Sequence, residues 1–234
     1  MTFYNMTKAC HSGRSRWPFL ALVLAMGTFL LFVHSLSAVQ ARPVSYPGGW
    51  TTMFLNNVDR HSAHLHYSPT AFMSLGYKAE YWRDEDHQIH ALQMNNLLKR
   101  WNSKESQANF YLKSGIGAAY SDYGDFDSEW EPAAFTGIAT DWEDQRFFVS
   151  YENRYTYAGD IRDDFTQSAR VGVAPYVGEY GDLHTWLMLE VEHQPEAQEH
   201  IVVMPMVRLF KGLHLVEFGA SLEGDIMFNW VTRY

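Results

Sequence analysis

Residues 146–159, "RFFVSYENRYTYAG", alternate with a period of two. Phe147, Val149, Tyr151, Tyr155 and Tyr157 share one face of the extended chain, and Phe148, Ser150, Glu152, Arg154 and Thr156 share the other. That period belongs to a strand, whose successive side chains point to opposite sides. The pattern recurs in "DLHTWLMLEVE", "HIVVMPMVRLF" and "FTQSARVGVAPYVG", and in "GDIMFNWVTRY", which carries it to the last residue. In each, one face is nearly all aliphatic or aromatic and the other holds isolated charges. A soluble sheet would bury the apolar face against a second layer. A soluble β-sandwich or small ligand-binding barrel also alternates, but it does not put valine, leucine and tyrosine on its solvent face strand after strand, and no convincing helix is read after residue 42.

Alternating segments of this length, separated by polar turns, are the weak per-strand signal of a transmembrane barrel. Twelve are expected, near 49–56, 62–68, 71–82, 88–98, 107–120, 132–141, 146–158, 165–178, 183–192, 200–209, 212–220 and 225–234, with ten as the alternative count. Segment 88–98 alternates poorly, so its inward face is left open. The fold class is therefore all-β: a closed antiparallel transmembrane β-barrel. An even count places both chain ends on one side.

The first 41 residues read as a cleaved signal peptide. Lys8, Arg14 and Arg16 precede the apolar run "PFLALVLAMGTFLLFV", and Val39 and Ala41 supply the small residues of a cleavage site. Residues 42–234 then form one domain. Its formal charge is −12, because the removed segment takes three of the 18 basic residues and none of the 27 acidic ones. Such a balance argues against nucleic acid as a partner, since phosphate contacts need a basic footprint. The one cysteine, Cys10, lies in the removed segment, so the domain has no disulfide, thiolate metal site or cysteine nucleophile.

With both ends on the inner side, the odd-numbered connections face outward and collect 17 of the 27 acids, the longest of them being "SDYGDFDSEWE". Trp101, Trp142, Tyr180, Phe210 and Tyr234 flank the inner turns; Trp82, Tyr120, Trp130, Tyr157 and Phe165 flank the outer loops. Two aromatic girdles match the two interfaces of a bilayer.

Taken with the signal peptide and the aromatic-ended last strand, these features make the chain resemble a Gram-negative outer-membrane β-barrel protein. The resemblance covers the whole of residues 42–234 and identifies a class rather than one transporter. It implies insertion into outer-membrane lipid and contact with lipopolysaccharide. It also implies recognition of the final strand, ending at Tyr234, by the barrel-assembly machinery. The usual last residue in that class is phenylalanine; here it is tyrosine.

On this register Lys113, Glu152, Arg154, Arg170, Glu190, Arg208 and Arg233 point into the lumen. They either pair as a structural plug or line a thin aqueous path, because inward charges need water or opposite charge. The function expected is a narrow conduit or a structural barrel, cation-preferring if it conducts, with an acidic outer rim to concentrate cations. Two further functions come from smaller groups. His64 and His66 lie two apart on an inward face, and Met188, Met204 and Met206 look inward from neighbouring strands. Imidazole and thioether suit copper or silver ions, although methionines also fill gaps in a wall. His66 and Ser68 resemble the His-x-Ser pair of outer-membrane lipid hydrolases, but Pro69 follows and the pair faces the lumen at an inner turn. No catalytic residue and no bound cofactor is expected beyond such an ion.

Overall fold

The computed structural model describes residues 43–83, 86–179, 181–197 and 200–234. The segment expected to be a signal peptide and Tyr180 of the expected inner girdle lie outside the described residues. Twelve strands follow in order: β1 (Trp50–Asn56), β2 (Arg60–Thr70), β3 (Met73–Trp82), β4 (His87–Asn102), β5 (Gln107–Ser121), β6 (Glu129–Glu143), β7 (Phe147–Ala158), β8 (Arg162–Val173), β9 (His184–His193), β10 (Ile201–Lys211), β11 (His214–Ala220) and β12 (Ile226–Arg233). Each pairs antiparallel with its chain neighbour and β12 returns to β1, so the sheet closes into a barrel without an edge. The count is twelve, not ten.

The alternation that runs to the carboxylate is explained at the seam. Thr51 pairs with Arg233 and Asn56 with Phe228, and the Trp50 and Tyr234 backbones exchange hydrogen bonds of 2.7 and 3.1 Å. The last residue therefore completes the barrel. Its phenol lies 3.2 Å from the Thr52 hydroxyl on the outside wall. We call this end, which carries both Trp50 and Tyr234, the inner end.

The exterior is apolar and solvent-facing in the isolated chain: Leu92, Ile116, Phe147, Leu187, Ile201 and Ile226 are all at least half exposed. The interior is polar and largely buried, with Glu80, Asn95, Asn109, Glu217 and Asn229 all below 5% exposure. This is a soluble protein turned inside out, and such an exterior is stable only against hydrocarbon.

Three sequence expectations are corrected. β8 stops at Val173, not 178, because Pro175 offers no N–H to continue the ladder. The inner connection 174–183 is consequently longer than the outer loop 122–128, so the longest connection is not on the outer side. Trp82 is 2% exposed and stacks on His87 inside the barrel rather than joining an outer girdle; the Arg60 and Arg162 guanidiniums lie 4.6 and 3.5 Å from its ring. The uncertain strand β4 resolves as well. Its inward face is His87, Ile89, Ala91, Gln93, Asn95 and Leu97, whose apolar members pack against other lumen-facing side chains. Mixed polarity on both faces hid the period.

Close backbone approach fixes where glycine must stand. A Cβ on Gly117 would meet the His90 carbonyl oxygen at 1.9 Å, so β4 and β5 come together there only without a side chain. Between β6 and β7 the ladder skips Gly137 and Ile138; the Asn153 side-chain oxygen accepts the Ile138 N–H at 3.0 Å instead.

Candidate functional site

The lumen is the site, and its geometry begins with two carboxylates. Glu80 on β3 alternates inward between Ala79 and Tyr81. Its side chain is 1% exposed and accepts two parallel bonds of 2.7 Å from Arg154, which reaches it from β7 across the lumen. Lys78 adds an ion pair at 2.8 Å and Arg60 a longer one at 3.8 Å. Two of these three cations also sit over the Phe135 ring, Arg154 at 4.1 Å and Lys78 at 4.8 Å. Phe135 lies flat on the wall because Gly115 has no Cβ, which would otherwise stand 2.3 Å from the ring. The second carboxylate, Glu217 on β11, takes Arg208 at 2.7 Å, Arg170 at 3.5 Å and the Asn229 amide at 2.8 Å. Charges this deep are tolerated because each is paired and hydrogen-bonded.

Between the two knots lies a cavity of about 260 Å³. Its cations are Arg60, Lys78, Lys113, Arg154, Arg170 and Arg208. Its carboxylates are Glu80, Asp141, Glu152, Glu190, Glu192 and Glu217, so the lining balances at six against six. The wettest pair is Lys113–Glu152, at 2.6 Å, with the Glu152 side chain 47% exposed. Apolar clusters share the rest of the interior with buried polar side chains such as Asn95, Asn109 and the Arg162–Asp164 pair. One joins Trp82, Ile89, Phe135 and Ile161 to Phe126 of the third outer loop; another joins Phe148, Trp186 and Met227 to Val58 of the first.

Of the seven charges placed in the lumen by sequence, Lys113, Glu152, Arg154, Arg170, Glu190 and Arg208 line this cavity. Arg170 bonds Glu190 at 2.8 Å. Arg233 is buried at the inner end, opposite Thr51, and does not line it. Arg60, Lys78, Glu80 and Glu217 join them in the lining, beyond the charges that the sequence pattern marks. Lys78 and Glu80 carried the usable signal: spaced by two in "SLGYKAEYW", they alternate with Tyr77, Ala79 and Tyr81.

The histidines and methionines fall into separate places. His64 faces Lys78 directly across the β2–β3 pair, and its Nε2 lies 3.1 Å from the Ser62 hydroxyl. His66 stacks on His64 at 5.6 Å and meets the Asn95 amide at 3.3 Å through Nδ1. Met188, Met204 and Met206 instead pack with Trp186, Phe148 and Met227, each at most 6% exposed. The histidine pair and the methionine cluster thus have different neighbours, and among the described residues no three His, Cys, Asp or Glu side chains converge as for a metal ion. Ser68 lies at the inner end, 1% exposed, its Oγ accepting the Ser45 N–H at 3.0 Å. That places it in the lumen, away from the lipid face that a hydrolase nucleophile of this resemblance would need.

Apolar exterior, charged interior and a closed twelve-stranded sheet are now together. The chain has the build of an outer-membrane β-barrel. No family model matches it, and no curated protein matches it by sequence. Among solved structures it is similar to the KdgM porin at 10% identity, with 80% of this chain and 98% of that one covered and a TM-score of 0.46. The same porin matches in complex with disordered oligogalacturonate. It is also similar to OccK8 (OprE) of Pseudomonas aeruginosa, at 10% identity over 75% of this chain and 57% of that one, TM-score 0.40.

Proposed function

We propose that the protein is a narrow, passive conduit of the bacterial outer membrane, passing water, ions and small polar solutes. The observation that carries this reading is the charged cavity inside a closed barrel with an apolar exterior. At about 260 Å³ it falls just below the range of pockets that hold drug-sized ligands, about 300–1,000 Å³. Water needs only about 30 Å³ per molecule. With its lining charges balanced, the cavity itself gives neither ion sign an advantage. The cation preference belongs to the outer rim, where Asp122, Asp125, Asp127, Glu129 and Glu131 crowd one loop and its strand end. Export by the N-terminal signal, recognition of the strand ending at Tyr234 by the barrel-assembly machinery, and packing of the outer girdle against lipopolysaccharide complete the reading.

Planar-bilayer recording of the purified barrel tests it. Discrete, small conductance steps with a modest cation-selective reversal potential are expected. A protein that folds and inserts but conducts at no voltage ends the conduit reading.

A further inference from the structure

Pro43–Gly49 precedes the first strand, yet it folds into the barrel instead of along its outside. Val44 is 3% exposed and packs among Leu97, Tyr111 and Ala139, whose side chains point inward from β4, β5 and β6. Pro43 lines the cavity itself. The segment is held at few points. Its Pro43 carbonyl accepts the Ser74 hydroxyl at 2.8 Å, and its Ser45 N–H donates to the Ser68 hydroxyl at 3.0 Å. Behind these, the Ser68 backbone bonds Gly48 and Gly49 at 2.7 and 3.0 Å. Gly48 has φ +83° and open space where a Cβ would stand.

We propose that Pro43–Gly49 is a hinged stopper for the inner mouth. Seated, it floors the cavity and closes the path. Displaced about Gly48, it joins the cavity to the inner side. The proposal rests on the conduit reading above. One buried valine and a few side-chain contacts hold the stopper, whereas each wall strand is held by backbone ladders on both sides. A segment so lightly tied belongs to the low end of local opening free energies. The two arrangements differ at named atoms: Ser68 Oγ and Ser74 Oγ bond the strap in one and face water in the other. The hinge bonds at Gly48 and Gly49 survive in both. Ser68 thus acquires a role that its spacing from His66 did not suggest.

The exported chain, residues 42–234, refolded into liposomes, supplies the test through two separate readouts. A single thiol at Val44→Cys, in a chain that then holds no other cysteine, reports seating through its rate of reaction with a membrane-impermeant maleimide. Conductance reports the path. Ser68→Ala removes one anchor and should raise the labelling rate and the open fraction about tenfold, the equivalent of about 1.4 kcal/mol. Ser74→Ala should move both in the same direction, and Val44→Asp with Ser68→Ala should hold the path open. Unboiled gel migration confirms that each variant is folded. Faster labelling with higher conductance supports the stopper. If wild type conducts and the anchor variants conduct identically, or label no faster, the stopper is wrong while the conduit stands. Faster labelling with no conductance in any variant, wild type included, removes both.

Discussion

Replacing Glu80 by glutamine is the most informative single change to this interior. The carboxylate is 1% exposed and simultaneously holds the Arg154 fork at 2.7 Å and the Lys78 ammonium at 2.8 Å. Glutamine keeps the volume and one acceptor oxygen, so the packing against Phe135 persists and the loss is electrostatic. Removing one partner of a buried ion pair leaves uncompensated charge and costs about 3–5 kcal/mol. Here Arg154 and Lys78 lose a close partner and Arg60 a longer one, but the adjoining cavity can hydrate them in part, so about 3 kcal/mol is expected. Unfolding of the detergent- or lipid-embedded barrel in denaturant, followed by tryptophan fluorescence, gives the number. Pairing Glu80→Gln with Arg154→Gln distinguishes pairing from packing, because residues in direct contact couple by about 0.5–3 kcal/mol. The double variant should be less destabilised than the sum of the singles. A Glu80→Gln loss below about 1 kcal/mol, or strict additivity, would refute the claim that this knot braces the lumen.

Other consequences follow from equally local geometry. Gly117→Ala places a Cβ 1.9 Å from the His90 carbonyl oxygen, which is backbone and cannot swing away; a stability loss of about 1–3 kcal/mol and a lower refolding yield on unboiled gels are expected. Met204→Leu with Met206→Leu, in a packed cluster, should cost less than about 1.5 kcal/mol and leave silver or copper binding, measured by calorimetry on the folded barrel, unchanged. Neutralising Asp122, Asp125, Asp127, Glu129 and Glu131 to asparagine or glutamine should abolish the cation-selective reversal potential across a salt gradient, while Lys113→Gln should change conductance more than selectivity.

Much of this architecture was legible because the membrane enforces alternation. In β7, β9, β10 and β12 lipid demands an apolar outward face, and the period of two can be read directly. It faded in β4, where Ile89, Ala91 and Leu97 point inward to cover other apolar side chains while Gln88 and His90 face out. Lumen-facing charge could be read residue by residue, but pairing across the lumen could not. Arg154 and Glu80 lie 74 positions apart on strands that are not neighbours, and no local pattern joins them. Trp82 shows the limit of composition at an interface. Its place at a strand end suits a girdle, yet one alternation step puts it inside, against two guanidiniums. The strap is illegible in the sequence for a simpler reason: Pro43–Gly49 has no period, and only the apolar hollow formed by Leu97, Tyr111 and Ala139 gives Val44 a place.

The central claim is that alternate side chains of each wall strand meet hydrocarbon and an aqueous or polar lumen. Spin labels placed one at a time along β5 in lipid-reconstituted protein address it most directly, by comparing collision with oxygen and with a water-soluble nickel chelate. Labels at Phe110, Leu112 and Ile116 should favour oxygen, and labels at Asn109 and Lys113 should be shielded from it, giving a period of two. Equal access of the nickel chelate to both sets, or no alternation at all, would contradict the account.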